Sequence, residues 1–435
     1  MLSLLGFTMI ATFMYLIMSK KLTPLVAFML VPIVFGLIGG FTKGLGPMML
    51  DGVIDVAPTS IMILFAILYF GLMIDAGLFD PLIALILKVV KGDPLKIVVG
   101  TAVLSMMVAL DGDGTTTYMI TVAAFLPLYK RLKMNLLILA GVAMLSMGVM
   151  NMTPWGGASA MAMSSLGLTS SELFFPLIPV MGFGLLWVLF VSYIFGRRER
   201  KRLGILNIQN TFNEIATASE LVENIEQPDY RRPKLIWFNF ALTLILLVCL
   251  IMDFIPLMIL FMVAFAMALL VNYPNIKDQQ KRISSHASNA VAVVSIIIAA
   301  GIFIGIMSGT QMIDAMANTL VAIIPDVLGP YLPVIVALLS APLTFVMSNN
   351  AFYFGVLPII AQAAEAYGVS AAEIGRASIL GQPVHIISPL IAAAHLLMRM
   401  VGIEFIDLQR FLMKWAFGTT IIMIIAALVL GVISI

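Results

Sequence analysis

A short polar stretch, residues 111–117, carries the residue types in this sequence that could do chemistry. It holds Asp111, Asp113, two glycines and three threonines, directly after the apolar run 97–110. Carboxylates are costly in hydrocarbon and glycine favours unwound backbone, so at membrane depth such a stretch is tolerated only where it lines a cavity. Ionisable residues in that position are typical of proton relays and ion pathways. The stretch predicts one part of an intramembrane site, with Asp111 and Asp113 as proton-coupling groups.

Three further polar interruptions have the same character. The apolar run 331–346 ends at Ser348, Asn349 and Asn350, and two helical stretches are broken at 151–157 and 381–389, where prolines remove backbone donors. We predict that all four interruptions face one site near the membrane midplane. Its predicted substrate-binding residues are Thr115, Thr116, Thr117, Asn151, Thr153, Pro154, Gly156, Gly157, Ser348, Asn349, Asn350, Gln382, Pro383, Ser388 and Pro389. His385 joins the two aspartates as a predicted proton-coupling residue.

The predicted site is rich in short neutral side chains. Hydroxyls, amides and helix amino termini suit carboxylate oxygens, and exposed carbonyls suit cations. No lysine or arginine falls within these interruptions, although a free tricarboxylate would be expected to recruit arginine. A substrate whose charge is largely cancelled by a bound divalent metal fits better. We therefore expect no cofactor and no dedicated metal site, with the metal entering as part of the substrate near Asp111 and Asp113.

The composition is that of an integral membrane protein. Of 435 residues, 62% are hydrophobic and 11% charged, and the mean hydropathy is +1.10. The single cysteine, Cys249, excludes a disulfide within the chain. The first apolar run, 2–18, has no positive charge before it and Lys20 and Lys21 after it, which indicates a retained first span with its amino end outside.

The chain divides into two similar halves. We predict a first repeat at 1–202 with a re-entrant hairpin at 95–133 and a broken helix at 135–168, and a second at 234–435 with a hairpin at 329–367 and a broken helix at 371–402. A polar loop at 203–233 connects them. At an offset of 234 residues Gly71 matches Gly305, Asp80 matches Asp314 and Thr115 matches Asn349. Other expected spans include 54–74 and 290–307, the latter after a polar turn with lysines and an arginine at 277–282.

The charges predict the topology. Five crossings per half invert the second repeat relative to the first. With both termini outside and the 203–233 loop in the cytoplasm, only Lys43 and Arg376 of the 24 basic residues lie outside. The predicted fold is thus an all-α integral membrane, inverted-repeat transporter in the cell membrane, with about ten transmembrane helices, two re-entrant hairpins and two broken helices.

Three motifs carry a family resemblance: residues 91–96 (KGDPLK), 110–121 (LDGDGTTTYMIT) and 151–157 (NMTPWGG). The chain resembles, from end to end, the bacterial citrate–metal:proton symporter family (CitMHS) of the ion transporter superfamily. The resemblance implies import of citrate complexed with Mg²⁺ or Ca²⁺, with protons as coupling ion. The related sodium-dicarboxylate carriers hold substrate between hairpin tips bearing Ser-Asn-Thr, move as elevators and are often homodimers. The second tip, Ser348-Asn349-Asn350, matches that pattern in part. The first tip carries Asp111 and Asp113 instead, which favours protons over sodium as the coupling ion.

Several alternatives stay open at this point. Asp111 and Asp113 could lie in a solvated loop, His385 could only cap a broken helix, and the prolines could be simple kinks. A sodium- or proton-coupled carrier of another anion, such as a dicarboxylate, gluconate or arsenite, is the main functional alternative. An enzyme using an aspartate pair is disfavoured because no partner nucleophile is found, and a channel because no selectivity-filter motif is found.

Expected partners are metal-citrate, protons, the bilayer and a second copy of the chain, but no nucleic acid. Arg376 and Arg399 fit interface anchors better than substrate ligands, and the sequence assigns no role to His286 or His395.

Overall fold

The structure, a computed structural model, describes residues 1–90, 92–204, 230–252 and 254–434. Within these ranges the chain forms helices joined by turns and contains no strand, so the all-α prediction is confirmed. Helices of the first half are α1 (Leu2–Met18), α2 (Pro24–Ile38), α3 (Leu45–Ala76), α4 (Asp80–Val90), α5 (Pro94–Val108), α6 (Gly114–Arg131), α7 (Leu136–Met150), α8 (Gly157–Leu166), α9 (Ser170–Leu173) and α10 (Leu177–Leu203).

The second half continues in the same style. Its helices are α11 (Ile236–Met252), α12 (Leu257–Asn272), α13 (Ile276–Gly309), α14 (Met312–Ile323), α15 (Leu332–Val346), α16 (Leu357–Glu365), α17 (Ala371–Ile379), α18 (Gln382–His385), α19 (Ala392–Val401) and α20 (Phe405–Val429). A π-helical turn, Ala351–Val356, precedes α16. Most of the predicted connecting loop, residues 205–229, lies outside the described residues. The inverted relation of the two halves stays a prediction.

Within the described ranges, six helical segments are long and apolar enough to cross a membrane. They are Leu45–Ala76, Pro94–Asp111, Leu177–Leu203, Pro233–Met252, Ile276–Gly309 and Phe405–Val429. Several other helices, among them α1, α2, α7 and α12, are apolar but shorter. An integral membrane protein with many apolar helices is confirmed.

Two helices are longer than the sequence pattern predicted. The expected span at 54–74 is part of α3, which begins at Leu45, and the expected polar turn before residue 290 is the start of α13. The Asn275 side chain accepts a hydrogen bond from the backbone N–H of Lys277 at 2.9 Å and Asp278 lies in the first turn, so the polar sequence starts a helix. Hydropathy alone detected only the apolar part of each helix.

The helices α3 and α13 pack against each other along their length. Gly301 and Gly305 of α13 lie directly against Gly52 of α3, and a side-chain carbon on any of the three would overlap backbone of the partner helix. Small residues spaced by four allow this close approach in membranes. The α3–α13 pair also contacts α2 and α12, and we call these helices, with α1 and α11, the frame.

The remaining long helices form a second group around α5, α7, α10, α15 and α20. Here α5 and α6 lie side by side, with a hydrogen bond between the hydroxyls of Ser105 and Thr121 at 3.1 Å. A Cβ on Gly148 of α7 would lie 2.9 Å from the Cα of Pro383, so the two broken helices meet closely. We call this group the hairpin group.

Ion pairs collect at one end of the bundle, which we call the basic face. Asp75 at the end of α3 receives Arg282 Nη1 at 3.0 Å and pairs with His286 Nε2 at 2.8 Å. Nearby, Arg231 contacts Asp80 at 2.8 Å, and at the start of α5 Arg200 contacts Asp93 at 2.5 Å. His286, to which the sequence assigned no role, thus helps to join α3 and α13.

Candidate functional site

The tip between α5 and α6 is a tight turn built by its own aspartates. Gly112 adopts φ +76°, a left-handed conformation that favours glycine, and the Asp111 carboxylate accepts the backbone N–H of Asp113 at 2.9 Å. Asp113 is the N-cap of α6, because its carboxylate accepts the backbone N–H groups of Thr115 and Thr116 at 3.2 and 3.0 Å. It also accepts the Thr116 hydroxyl at 2.7 Å. Asp113 is therefore satisfied within the turn, whereas Asp111 accepts one backbone N–H, is hydrogen-bonded to Thr117 and is 6% exposed.

The three threonines serve mainly the hairpin itself. The backbone of Thr115 and both the backbone and hydroxyl of Thr116 bind Asp113, while the Thr117 hydroxyl lies 3.9 Å from Met147 Sδ of α7. Thr117 is fully buried. The Thr116 side chain thus stabilises the N-cap of α6, and the Thr117 side chain places the tip against α7.

The helix break after α7 is fixed to this tip by a tryptophan. Trp155 Nε1 donates to the carbonyl oxygen of Leu110 at 2.7 Å, immediately before Asp111. Within the break, Gly157 N donates to the Asn151 side-chain oxygen at 3.1 Å, and a Cβ on Gly156 would overlap the Asn151 carbonyl. The 151–157 interruption is thus a compact turn that holds the aspartate tip in place, with Pro154 inside it.

A buried amide chain joins both broken helices to the second tip. Asn151 Nδ2 donates to Gln382 Oε1 at 2.9 Å, and Asn349 Nδ2 donates to the same oxygen at 3.3 Å. Gln382 Nε2 lies 3.1 Å from the Tyr353 hydroxyl. Residues from the first break, the second break and the second tip, which are distant in sequence, therefore share one hydrogen-bonded cluster.

The second tip also depends on side-chain contacts from the second break. His385 Nδ1 donates to the Thr344 carbonyl at 2.6 Å, and the Ser388 hydroxyl donates to the Phe345 carbonyl at 2.7 Å. These carbonyls belong to the last turn of α15, where no helical donor remains for them. His385 and Ser388 therefore cap α15, while Pro383 lies in the first turn of α18 and Pro389 lies within the irregular backbone between α18 and α19.

Buried polar atoms at the site remain available to a ligand. The Thr153 hydroxyl and the side-chain oxygen of Asn350 are buried and have no protein hydrogen-bond partner in the described part of the chain. Ser348 at the same tip accepts the backbone N–H of Ala351 at 3.3 Å. Because an unpaired buried polar atom is costly, the side-chain oxygens of Thr153 and Asn350 are candidate ligand-binding atoms at this site.

A cavity of about 80 Å³ adjoins the aspartate tip. Asp111, Gly112 and Asp113 line it together with Trp155 and Gly157, and none of its lining residues is a lysine or arginine. The opposite wall is part of α13 and includes Asn289. The cavity thus lies between the hairpin group and the frame, and is small enough that a bulky anion requires it to open.

A sequence model described as the citrate transporter family, CitMHS, matches residues 13–381. The chain belongs to this family. It is 62% identical over 434 residues to a protein of Bacillus subtilis (strain 168) named citrate transporter, with 100% of both chains covered. It is 52% identical over 436 residues, again with 100% of both chains covered, to the Mg(2+)/citrate complex secondary transporter of the same organism.

A solved structure shows a similar fold. The transporter YdaH of Alcanivorax borkumensis, whose topology is described as unusual, aligns with a TM-score of 0.55 at 14% identity, over 91% of this chain and 88% of that chain. This likeness concerns the fold alone. The family match over residues 13–381 and the named relatives confirm the resemblance of the motifs to the citrate transporter family, so the protein is a multi-pass membrane transporter rather than an enzyme.

Two residues of this citrate transporter family member were missed from sequence. Trp155 is not among the predicted site residues, yet its indole N–H holds the aspartate tip. Asn289 lies next to the apolar run that began at residue 290, and helical spacing from His286 places it on the same face of α13. The one sequence signal for Asn289 was a side-chain amide directly before a predicted membrane span.

Proposed function

We propose that this chain imports citrate complexed with a divalent cation, in symport with protons, by elevator-like alternating access. The observation that carries the proposal is the amide cluster of Asn151, Asn349 and Gln382, which joins both helix breaks to the second tip beside the unpaired oxygens of Thr153 and Asn350. Amide and hydroxyl groups bind carboxylate and metal-bound oxygens without needing arginine. The name of the Mg(2+)/citrate relative supports the same substrate class.

The metal-citrate complex suits the charges of the site. A free citrate would bring its full negative charge next to Asp111 and Asp113, whereas a divalent cation cancels most of that charge. Thr153 and Asn350 offer oxygens that can complete the coordination of a hard cation. Under this proposal the metal is cargo, and uptake requires it in the external medium.

Asp111 is the proposed proton carrier. Asp113 is satisfied by two backbone N–H groups and a hydroxyl, and His385 is engaged with a helix carbonyl, so both are proposed to position the tips. Asp111 lines the cavity beside α13 and makes fewer hydrogen bonds than Asp113. Intramembrane carboxylates with an open side are typical of proton relays.

The substrate proposal is tested by citrate uptake into proteoliposomes. We expect uptake that requires Mg²⁺ or Ca²⁺, stops when EDTA removes the metal, and accelerates with an inwardly directed proton gradient. Succinate should not compete at equal concentration, and sodium should have no effect. Uptake that depends neither on the metal nor on the pH gradient, or that requires sodium and is inhibited by succinate, would indicate a carrier of another anion.

The proton proposal is tested by Asp111→Asn. We expect this variant to lose uptake driven by the pH gradient while retaining metal-citrate exchange between preloaded vesicles and medium, because exchange moves no net proton. Asp407→Asn is the matched control, since Asp407 is an exposed carboxylate on α20. Wild-type gradient-driven uptake in Asp111→Asn would remove Asp111 from the coupling mechanism.

A further inference from the structure

An apolar crevice lies between the frame and the first hairpin, on the side of the bundle. Its volume is about 610 Å³, far larger than the cavity at Asp111. Its walls come from α3, the start of α4, the α5 end of the hairpin and α11, and include Phe70, Leu82, Met107, Leu110, Phe240 and Leu244. The crevice therefore bridges the two groups of helices.

The crevice offers a ligand almost only apolar contacts, since the Trp237 indole N–H and the Thr243 hydroxyl are the two polar groups among its described lining side chains. Thr243 is the one lining residue with a hydroxyl, and this hydroxyl is already engaged with the Asn239 carbonyl and the Tyr69 hydroxyl, each at 2.8 Å. Citrate and other polar solutes would leave most of their polar groups unpaired there, because the Trp237 indole is the one described lining side chain with an unengaged donor. Trp237 is 82% exposed and Leu244 51% exposed, so the crevice is open on the side that faces the bilayer.

The length of the crevice along α11 can be compared with the thickness of the membrane. Lining residues of α11 run from Ile236 to Leu247, which is roughly 16 Å of helix at about 1.5 Å per residue. This is about half of a hydrocarbon core that is roughly 30 Å thick. One end reaches Pro233 at the basic face, and the other reaches Leu110.

Cationic groups stand at the end on the basic face. Lys234 is exposed next to Pro233, and Arg231 lies two residues before it, 2.8 Å from the Asp80 carboxylate. Counted together, these three side chains carry one excess positive charge beside the apolar opening. Basic residues at this level attract the phosphate groups of anionic lipids.

We infer that this crevice is a binding site for an anionic phospholipid. One acyl chain fills the space between α11 and the hairpin, and the phosphate lies at Lys234 and Arg231. An apolar space of this size next to lipid fills with hydrocarbon because burial of apolar surface is favourable and empty space loses dispersion contacts.

The inner end of the acyl chain reaches the backbone that supports the aspartate tip. Leu110, which lines the crevice, has its carbonyl held by Trp155, and the Trp155 ring packs against Phe70 with centroids 5.4 Å apart. The bound lipid thus contacts two of the residues that hold Trp155 in place, Leu110 and Phe70. This inference goes beyond the proposed function, and it holds for any substrate of the carrier.

The test measures retained lipid in the full-length protein purified in mild detergent. Leu244→Trp fills the crevice, and Ile245→Trp is the matched control, because Ile245 is 58% exposed on the same helix but does not line the crevice. We expect native mass spectrometry to show bound phosphatidylglycerol on the wild type and on Ile245→Trp, and its loss from Leu244→Trp. Equal lipid retention by Leu244→Trp and Ile245→Trp would overturn the inference.

A second measurement does not use the crevice-filling variant, so it stays informative if that variant folds poorly. It tests whether the charge of the lipid head group matters for binding. Phosphatidylglycerol or phosphatidylcholine is added to delipidated wild type and Lys234→Gln, and the thermal unfolding midpoint of each sample is measured. We expect phosphatidylglycerol to raise the wild-type midpoint more than phosphatidylcholine does, and this preference to shrink in Lys234→Gln. An absent preference in the wild type, or one unchanged in Lys234→Gln, would contradict the anionic site. Neither measurement depends on citrate uptake, so failure here leaves the proposed function untouched.

Discussion

At the scale of single residues, the Gln382 side chain connects the first helix break, the second tip and Tyr353. Its oxygen accepts from both Asn151 and Asn349, and its nitrogen contacts the Tyr353 hydroxyl. A side-chain amide can do this because it carries both acceptor and donor atoms. The residue is 1% exposed, so its partners have no water to replace it.

We expect Gln382→Leu to weaken binding of Mg²⁺-citrate and to lower thermal stability. The change leaves the buried Asn151 amide without its acceptor, which costs about 1–3 kcal/mol. Calorimetric titration with Mg²⁺-citrate and thermal unfolding of purified protein measure the two effects. Gln362→Leu, at an exposed position on α16, is the control and should change neither. Wild-type affinity in Gln382→Leu would show that the amide cluster does not shape the substrate site.

At the scale of elements, the contact between α3 and α13 is the tightest feature of the frame. Gly52, Gly301 and Gly305 bring the two backbones together, so the helices cannot separate or slide without losing close packing. Asp75 adds a polar contact at the basic face through Arg282 and His286. This pair is the rigid surface against which the hairpin group would move under the proposed elevator mechanism.

We expect Gly305→Ala to destabilise the protein strongly, by about 1–3 kcal/mol or enough to prevent folding. A methyl group there overlaps the Met48 carbonyl, which is backbone and cannot rotate away. Gly46→Ala is the control on α3, since nothing lies within 4 Å of its added carbon. Thermal unfolding and the yield of monodisperse protein check the difference, and equal stability of the two variants would mean that the helices are not in this close contact.

Much of the element pattern could be predicted from sequence, for identifiable reasons. Glycines, prolines and polar residues within apolar runs marked the two tips and two breaks, because such residues are unstable in uninterrupted membrane helices. The starts of α3 and α13 were missed because hydropathy responds to apolar residues, whereas Asn275 begins a helix by capping it. The contacts of Trp155 and Gln382 could not be predicted, since they depend on which distant segments meet in three dimensions.

At the scale of the whole molecule, the two ends of the frame differ in charge. Lys43 precedes the start of α3, whereas Lys277 lies at the start of α13, next to the Asp75 cluster at the end of α3. With its 32 residues α3 is roughly 48 Å long at about 1.5 Å per residue, so these two exposed lysines stand at opposite ends of the frame. The bias of basic residues towards one end favours a cytoplasmic basic face.

We expect a cysteine at position 43 to react from outside the cell and one at position 277 to react only from within. The variants Lys43→Cys and Lys277→Cys are made in a Cys249→Ser background, which removes the one native thiol. A membrane-impermeant maleimide should label Lys43→Cys in intact cells and Lys277→Cys only after permeabilisation, because the positive-inside bias holds the basic face in the cytoplasm. The reverse pattern would invert the orientation, and the hairpin of α5 and α6, whose outer ends lie at the basic face beside Arg200 and Asp93, would then enter the membrane from outside.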